Sequence, residues 1–521
     1  MKREISSLGL LFTSVSSILG SGWLFSTFYA SKVAGPASLI AWILGGILIC
    51  IVAFVFGEVC ALIPISGSSV RIPNFTHGKV VSIFFALIIW LSYVGLMVIE
   101  LQAVIQYLSY YFPSVAKLSG DLTLSVYILA IVLMFLISVI NTYSVKFMIK
   151  CNTFLTFIKL IIPLGIAIVL LYYFFSPHNL IHPGNSPFAP DGIHGIFLAI
   201  ATGGIIFSFN AFKQAAELAG EVKNPQFSVP FAIVGSIVLC VGIFILLQAG
   251  FLSTLGIQNI KDGWQHLHLS DNNSPFASVM QQHKILWLIP ILYIAAIISP
   301  LGAALMYCTG GARSLFGLAV NGCAPKALTK TNNKSIPTLS IWINLIIGMI
   351  IFLFFKGWDT MAALLTCLFA ISYSIAPICM IALRFQLPEK KRPLKLPFGL
   401  LWAYIAFFVC TLFIYWTGWH TIHKLIWFLL TCLIIIIIYH IIVKLRKEET
   451  TLDWKSSLWL WPYFIGIIIF SFIGNYGGGR KLLGEIPIMI LIAVFCLIIV
   501  ILAGNFKLSS ERTKKFLEEI E

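Results

Sequence analysis

The chain has 521 residues, of which 59% are hydrophobic and only 10% charged, and its mean hydropathy is strongly positive. A soluble domain carries about 25% charged residues, so a soluble globular protein is excluded. The net charge of +15 lies in short clusters between apolar runs and forms no single basic patch, which argues against nucleic acid as a partner and indicates membrane orientation.

Apolar runs recur along the whole chain at the length, about twenty residues, that a helix needs to cross a bilayer core of roughly 30 Å. The run at 432–443 (CLIIIIIYHIIV) lacks the polar alternation of a barrel strand, so we expect an all-α polytopic membrane protein surrounded by lipid. About fourteen spans are predicted, at approximately 6–31, 37–63, 80–112, 122–143, 147–174, 193–217, 228–253, 285–318, 338–355, 359–384, 398–417, 423–444, 457–474 and 485–503.

Basic residues favour one side of these spans. Most of the 34 Lys and Arg fall in loops on the side of the N-terminus, among them Arg71, Lys146, Lys150, Lys326, Lys330, Lys390, Lys391, Arg392, Lys444, Arg446 and Lys447. Because cytoplasmic loops are enriched in Lys and Arg, both termini are predicted to lie in the cytoplasm.

Two of the predicted spans are interrupted. The first contains Gly20-Ser21-Gly22, and the sixth contains Phe207-Ser208-Phe209-Asn210. Breaks five spans apart are expected of an inverted repeat, because a unit with an odd number of helices re-enters the membrane from the opposite side. Spans 1–5 and 6–10 are therefore predicted to form two repeats of opposite topology, with both breaks near the midplane. The alternative, that Gly-x-Gly serves only close helix packing, stays open.

Five segments in order give the chain a family resemblance. They are Ser17 to Phe25 (SILGSGWLF), Glu58 to Gly67 (EVCALIPISG), Ala216 to Pro230 (AELAGEVKNPQFSVP), Ala312 to Lys326 (ARSLFGLAVNGCAPK) and Arg392 to Pro397 (RPLKLP). Together they resemble the glycine-rich first helix, the exits of helices 2, 6 and 8, and the loop before helix 11 of the amino acid, polyamine and organocation (APC) permeases.

The resemblance is strongest to one branch of that family. Gly22 to Phe25, Ala30 to Lys32, Ala34 to Pro36, Trp42 to Gly46 and Tyr415 to His420 look most like bacterial aspartate–proton symporters, which also carry two extra C-terminal helices. The resemblance implies the leucine-transporter (LeuT) fold, a 5+5 inverted repeat, here with four additional C-terminal helices. We expect a transport core at 1–385, four peripheral helices at 386–505 and a cytoplasmic tail at 506–521.

The resemblance places the substrate at the two breaks, where the main chain has groups to offer. Backbone N–H groups of Ser21, Gly22 and Trp23, at the positive end of a helix dipole, are predicted to hold a carboxylate. Carbonyls of Ile18, Leu19, Ile206, Phe207 and Phe209 are predicted to accept the ammonium. The side chains nearest to the substrate side chain are predicted to be those of Phe207, Phe209 and Asn210. Packing between helices explains the two phenylalanine rings equally well.

Lys159 lies in the middle of the fifth predicted span, where a charged lysine costs about 2.5–3.5 kcal/mol to insert. In proton-coupled members of the family, a lysine at this position contacts carbonyls of helix 1 and oxygens of helix 8. The resemblance therefore implies that Lys159 links proton binding to the closing of one gate. The alternative is a structural lysine of fixed charge.

Lys213 follows the sixth-span break at a position where many family members have an acidic residue. If it faces the cavity, it provides a charge complementary to the side chain of aspartate or glutamate. An i,i+4 pair with Glu217 on one helix face is an equally good alternative.

Charge favours protons as the coupling ion. Aspartate enters with a charge of −1 against an inside-negative potential, at about 2.3 kcal/mol per 100 mV. One proton cancels this charge, and a second is needed for the potential to help. Of the other buried acids, Glu58 is predicted to pair with a loop Lys or Arg, and Glu100 is left undecided between a proton relay and another role.

The leading function is a proton-coupled symporter of an amino acid, with an amino acid exchanger as the rival. A membrane enzyme is disfavoured because no cluster of His, Asp or Cys lies near one membrane face. A channel fits broken midplane helices less well than alternating access does. The eleven cysteines are scattered singly, and His420 and His423 are isolated, so no metal and no cofactor other than protons is expected.

Overall fold

The computed structural model describes residues 3, 5–109, 124–143, 145–182, 186–270, 274–354, 357–445 and 452–519. Helices account for nearly all of the regular structure in these residues. The β-type pairing recorded there is a single bridge between Ile5 and Val222, which ties the N-terminal segment to the loop that follows the sixth predicted span. The prediction of an all-α protein is confirmed.

The first half of the described chain forms ten helices, three of which have only four or five residues. They are α1 (Ser7–Ile18), α2 (Gly22–Ala34), α3 (Ser38–Leu62), α4 (Ser68–Leu108), α5 (Leu124–Asn141), α6 (Val145–Phe174), α7 (Pro177–Ile181), α8 (Gly192–Thr202), α9 (Ile205–Ser208) and α10 (Gln214–Glu217).

Ten further helices follow. They are α11 (Pro225–Thr254), α12 (Pro275–Gln282), α13 (Ile289–Val320), α14 (Thr338–Phe354), α15 (Trp358–Gln386), α16 (Gly399–Trp416), α17 (Trp419–Leu445), α18 (Leu460–Ile473), α19 (Glu485–Asn505) and α20 (Ser510–Glu518). The predicted division into core, peripheral helices and tail stays a prediction, although helix α20 lies within the expected tail.

Helices occur at all fourteen predicted span positions, but fewer of them qualify as spans by length and composition. Eleven helices of the described residues are long and apolar enough to cross a membrane, or twelve if one bent pair forms a single span. The difference arises because α1 and α14 have only 12 and 17 residues and because α2 and α3 run on as one 41-residue stretch. The predicted end of the third span, at residue 112, lies outside the described residues.

Helix α4 is kinked where its first ten residues meet the membrane span. Gly78 has φ 81° and ψ −172°, and a Cβ atom there would lie 2.6 Å from Cγ of Asp453. Only glycine combines this backbone conformation with so close a neighbour. The kink sets the short segment at 68–77 apart from the third span, which was predicted to begin at residue 80.

Glu58 fixes the end of α3 to α15 and to the loop beyond it. The buried carboxylate accepts hydrogen bonds from Arg384 at 2.8 and 3.1 Å and from the backbone N–H of Leu396 at 2.9 Å. Arg392 lies 3.6 Å away. The prediction that Glu58 pairs with a basic residue is confirmed, and the pairing explains why arginine opens the RPLKLP segment.

Helix α20 packs against the segment before the third span. Thr513 donates to the backbone carbonyl of Phe75 at 2.9 Å, and Arg512 pairs with Asp453 at 2.5 Å. Phe516 lies against Phe75, with ring centroids 5.7 Å apart. The C-terminal helix is therefore attached to the first ten residues of α4 and to the segment around Asp453.

Candidate functional site

The first predicted span is broken between Ile18 and Gly22, as the sequence predicts. A helix leaves its last carbonyls without backbone partners. Two of those at the end of α1 are bonded from other helices: Ser16 accepts from Lys159 Nζ at 2.8 Å, and Ser17 accepts from the Tyr307 hydroxyl at 2.5 Å. Helices α6 and α13 thus hold one edge of the break.

A carboxylate lies on the other edge of this break. The backbone N–H of Ser21, where α2 begins, donates to Oε2 of Glu100 at 2.6 Å, and Glu100 is 1% exposed. Trp358 Nε1 donates to the Ser21 hydroxyl at 2.9 Å. Since the N-terminus of a helix carries partial positive charge, the first amide of α2 forms a carboxylate site. In this structure a side chain from α4 occupies it.

Both glycines of the break are required by close neighbours. A Cβ atom at Gly20 would lie 2.8 Å from Cδ of Glu100, and one at Gly22 would lie 3.0 Å from Cα of Ser208. Gly20 makes room for the carboxylate, and Gly22 lets the first and sixth spans touch at their breaks. Gly-x-Gly therefore serves close helix packing at Gly22 and leaves space for a carboxylate at Gly20, so the two explanations are compatible.

The sixth span is broken over a longer stretch than predicted. It bends by 42° between Ser208 and Asn210, where the sequence predicts the break. Regular helix, however, already ends at Thr202, and Gly204 adopts φ 87°, a left-handed conformation that glycine accepts readily. The turn α9 stands between the two irregular points, so the predicted start of the break at Phe207 is corrected to Gly203.

Hydroxyl groups join the two breaks. Ser26 of α2 donates to the carbonyl of Gly204 at 3.0 Å, and its Oγ lies 2.8 Å from Oγ of Ser208. Both serines are buried. The Gly204 carbonyl, which also accepts from the Ser208 N–H at 2.9 Å, is thus bonded by the first span as well, and the two breaks are held together.

Trp358, at the start of α15, covers this junction. Its ring lies 5.1 Å from Phe25, 5.5 Å from Tyr29, with which it is stacked, and 5.1 Å from Phe207. Together with its hydrogen bond to Ser21, these contacts form an aromatic cover over the breaks on the side of α2. The structure is closed over the candidate site.

The other predicted substrate ligands lie around the same junction, all of them buried. Two of the carbonyls take part in local turns: Ile18 accepts from Gly20 N–H at 2.9 Å, and Ile206 accepts from Phe209 N–H at 3.1 Å. The Phe209 ring packs between Trp42 and Phe244, and the Trp23 ring packs on Phe276. The remaining positions are Leu19 and Asn210, whose backbone carbonyl accepts from the Tyr373 hydroxyl. Their roles as ligands stay predictions.

Lys159 makes the helix 1 contact that the resemblance implies, whereas its hydrogen bonds in the described chain include no oxygen of the eighth span, and its coupling role stays a prediction. It is 0% exposed and donates to both the carbonyl and the hydroxyl of Ser16 in helix 1, at 2.8 and 2.9 Å. In helix α13, Gly302 makes room for it, because a Cβ there would lie 2.8 Å from the ammonium nitrogen. Its charge and that of Glu100 attract each other across the break. The ammonium thus braces α1 against α6 and α13.

Lys213 occupies an aromatic cage. Its ammonium lies 4.9, 5.0 and 5.5 Å from the ring centroids of Tyr93, Phe369 and Tyr373 and donates to Ser372 Oγ at 3.0 Å. Lys213 and Glu217 attract each other, but no ion pair within 4.0 Å joins them in the described part of the chain. The i,i+4 contact is therefore absent there, and the prediction that Lys213 meets a substrate carboxylate stays a prediction.

Glu100 is the site residue whose position the sequence could not assign. In the sequence, Glu100 stands out only as an acidic residue well within an apolar span, with no lysine or arginine nearby in the chain. Its contact with Ser21 joins residues 79 positions apart. The motifs of helices 1 and 6 give no indication of this partner.

The described residues do not bring potential metal ligands together in space. No group of three or more His, Cys, Asp or Glu side chains that could hold a metal ion occurs among its residues. The ring of His420 packs against Gly478, and that of His423 lies 5.7 Å from Trp419. The ten described cysteines are free thiols.

Comparison with known proteins finds one family along most of the chain. The sequence model for amino acid permeases matches residues 5–439. The chain is 31% identical to the aspartate-proton symporter of Bacillus subtilis (strain 168) over 95% of its own length and 94% of that protein. It is 30% identical to the glutamate/serine transporter of the same organism, over 92% and 89%, and 27% identical to its methylthioribose transporter, over 80% and 88%.

Proposed function

The chain belongs to the amino acid permease family, and from that premise we propose that it imports an acidic amino acid, aspartate or glutamate, together with protons. The observation that carries the proposal is the Glu100 carboxylate bound to the backbone N–H of Ser21. This group occupies the place that a substrate carboxylate would take, and it lies beside a buried lysine. The two relatives whose names include aspartate and glutamate support the acidic substrate.

Family membership makes the protein a permease and not an enzyme, and its apolar helices make it a multi-pass inner-membrane protein. The distribution of Lys and Arg supports cytoplasmic termini. With this orientation the Trp358 cover faces the outside. The N-terminal half of the first broken span, α1, faces the cytoplasm, and the N-terminal half of the sixth, α8, faces the outside. Substrate would enter beneath Trp358 and leave past α1.

Binding replaces one carboxylate by another. The α-carboxylate of the substrate takes the N–H of Ser21, with Gly22 and Trp23 beside it, and Glu100 withdraws. The substrate ammonium is accepted by carbonyls at the two breaks: Ile18, Leu19, Ile206, Phe207 and Phe209. These groups bind the α-carboxylate and the ammonium, which all amino acids share. They therefore select amino acids over other solutes but do not distinguish one amino acid from another.

The exchange of carboxylates requires a proton. Glu100 loses its strongest hydrogen bond when the substrate arrives, and an unpaired buried carboxylate costs several kcal/mol. A proton on Glu100 removes that charge, so substrate and proton bind together. Lys159 keeps the opposite charge at the break and braces α1. Because neutral Glu100 no longer attracts Lys159, protonation allows the lysine to release Ser16, and α1 can then move and open the path to the cytoplasm. Protons are thus the coupling ion, and no other cofactor is needed.

The second carboxylate of an acidic substrate needs a cation. Lys213 is buried one helical turn beyond Phe209, and Asn210 lies between them. We assign Lys213 to the side-chain carboxylate, with the Asn210 amide as a neighbouring ligand. Movement of the ammonium out of its aromatic cage would bring it toward the breaks.

The coupling is tested in proteoliposomes with an acidic exterior and labelled aspartate. Lys159→Ala and Lys159→Gln should abolish uptake driven by the pH gradient while leaving exchange of labelled for unlabelled aspartate partly intact. Lys261→Gln, at an exposed lysine, is the matched control and should transport normally. Normal gradient-driven uptake by both Lys159 variants would remove this lysine from the mechanism.

An exchanger without net proton flow is the alternative for this family. Counterflow with and without a pH gradient separates the two functions, because only a symporter accumulates aspartate from an acidic exterior without substrate inside. Competition against labelled aspartate by all twenty amino acids identifies the substrate class. Lys213→Asp should lose preference for acidic competitors, and an unchanged pattern would contradict the assignment of Lys213.

A further inference from the structure

One face of the sixth span beyond its break is polar and fully buried. Lys213 and Gln214 are adjacent, and each lies three or four residues from both Asn210 and Glu217, which places the four on the same side of the helical segment. Asn210 is 2% exposed, and the other three are 0% exposed. This polar face points toward α4, α13 and α15, where Glu217, Gln214 and Lys213 find hydrogen-bond partners in Ser69, Met306 and Ser372.

Several polar atoms of this face have no hydrogen-bond partner. They are Oδ1 of Asn210, Oε1 of Gln214 and Oε2 of Glu217. The hydroxyl of Tyr93 on α4 also has no hydrogen-bond partner. Buried polar atoms in folded proteins are nearly always bonded, so these four atoms are available to partners that bind during transport. All four can accept a proton or a hydrogen bond.

The two oxygens of Glu217 differ. Oε1 accepts a hydrogen bond from Ser69 Oγ, whereas Oε2 is without a partner. Glu217 is attracted by Lys213 and Arg313 but touches neither, and Arg313 is already paired with Glu221 at 2.8 Å. One oxygen of a fully buried carboxylate is thus left to bind a proton.

We propose that Glu217 binds a second transported proton, taken up when the side-chain carboxylate of the substrate replaces Glu217 as the counter-charge of Lys213. This inference rests on the proposed function and adds a proton site to it. The proton arrives from the outside with the substrate and binds Oε2, and Glu217 becomes neutral while Lys213 pairs with the substrate. After the substrate leaves, the proton is released and the attraction between Glu217 and Lys213 returns.

Among the ionisable side chains around this cluster, Glu217 is the one whose charge changes during transport. The titratable and charged side chains that face the cluster from the packed helices are Cys60 of α3, Tyr93 of α4, Tyr307 and Arg313 of α13, and Tyr373 of α15. A thiol and phenols are uncharged at neutral pH, and arginine keeps its charge. Glu217 also lies close to the N-terminal segment, because the backbone carbonyl of Glu221, one turn further, accepts from the Ile5 N–H at 3.0 Å. The proton is therefore released on the side of the N-terminus.

The number of protons then follows from the number of carboxylates. Each substrate carboxylate displaces one protein carboxylate, Glu100 or Glu217, and each displaced group takes one proton. Aspartate therefore enters with two protons and carries a net charge of +1 inward. Asparagine, with a single carboxylate, would enter with one proton and the same net charge.

Net charge is measured by imposing a K⁺ gradient with valinomycin on proteoliposomes at a fixed pH gradient. For wild type, a tenfold gradient that makes the interior negative should raise equilibrium aspartate accumulation about tenfold. Glu217→Gln should move aspartate with one proton, so its accumulation should not respond to the potential while its response to pH persists. Glu221→Gln, which removes the neighbouring buried carboxylate, is the matched control and should keep the voltage response. A voltage response in Glu217→Gln equal to that of wild type overturns the proposal.

Wild type alone decides the question if Glu217→Gln does not fold. One unit of pH gradient at zero potential should accumulate aspartate about a hundredfold for two protons and about tenfold for one. A tenfold value overturns the second proton site and leaves proton symport intact. No accumulation at all would contradict the proposed function itself.

Discussion

Replacing Glu100 by glutamine should strengthen aspartate binding at high pH. The carboxylate holds the N–H of Ser21 at 2.6 Å, and the substrate must displace it. A buried hydrogen bond to a charged group contributes about 1.5–3 kcal/mol and a neutral one about 0.5–1.5 kcal/mol. The difference, about 1.4 kcal/mol, corresponds to roughly tenfold in affinity. Glu100→Gln should therefore bind aspartate about tenfold more tightly than wild type where Glu100 is ionised.

The same substitution should remove one proton from the binding reaction. Purified protein in detergent is titrated with labelled aspartate at several pH values, and the slope of log Kd against pH gives the protons taken up. The slope should fall by one in Glu100→Gln, because the amide carries no charge to neutralise. Glu485→Gln, at a partly exposed carboxylate outside the site, is the control and should match wild type. Weaker binding by Glu100→Gln, or an unchanged slope, would refute the exchange of carboxylates at Ser21.

Three further substitutions test the surroundings of the site. Gly22→Ala should abolish uptake, because its Cβ would lie 3.0 Å from the backbone of the sixth span. Gly165→Ala is the control and should transport normally, because a Cβ there meets no neighbouring atom within 4 Å. Arg384→Ala should lower the free energy of unfolding in detergent by about 3 kcal/mol, the low end for a broken buried pair, because Glu58 keeps only the Leu396 N–H and Arg392 at 3.6 Å; a loss below about 1 kcal/mol would contradict this. Trp358→Phe keeps an aromatic ring but loses the bond to helix 1, so its Kd for aspartate should rise about fivefold, and an unchanged Kd would show that the bond contributes nothing.

The sequence predicts features that depend on residues close together in the chain. Apolar runs define the helices, and Gly20-Ser21-Gly22 marks the first break, because a polar group and two glycines interrupt an otherwise apolar helix. The second break was placed four residues late. Gly203 and Gly204 begin it, but glycines in membrane helices commonly serve close packing, so the pair has no distinctive local signal.

Contacts between distant helices could not be predicted in the same way. Glu100 reaches Ser21 from α4, and the cage around Lys213 is assembled from α4 and α15. Glu58 is a partial exception, because a buried acid at a helix end needs a basic partner even when its identity is unknown. The contact of Lys159 with helix 1 was supplied by the family resemblance, since nothing near Lys159 in the sequence identifies Ser16.

A structure of the protein with bound aspartate at low pH, determined by cryo-electron microscopy, tests the central claim most directly. The account predicts the substrate α-carboxylate within hydrogen-bond distance of the Ser21 N–H, with Glu100 displaced from it. Aspartate bound elsewhere, with Glu100 still on Ser21, would contradict the account.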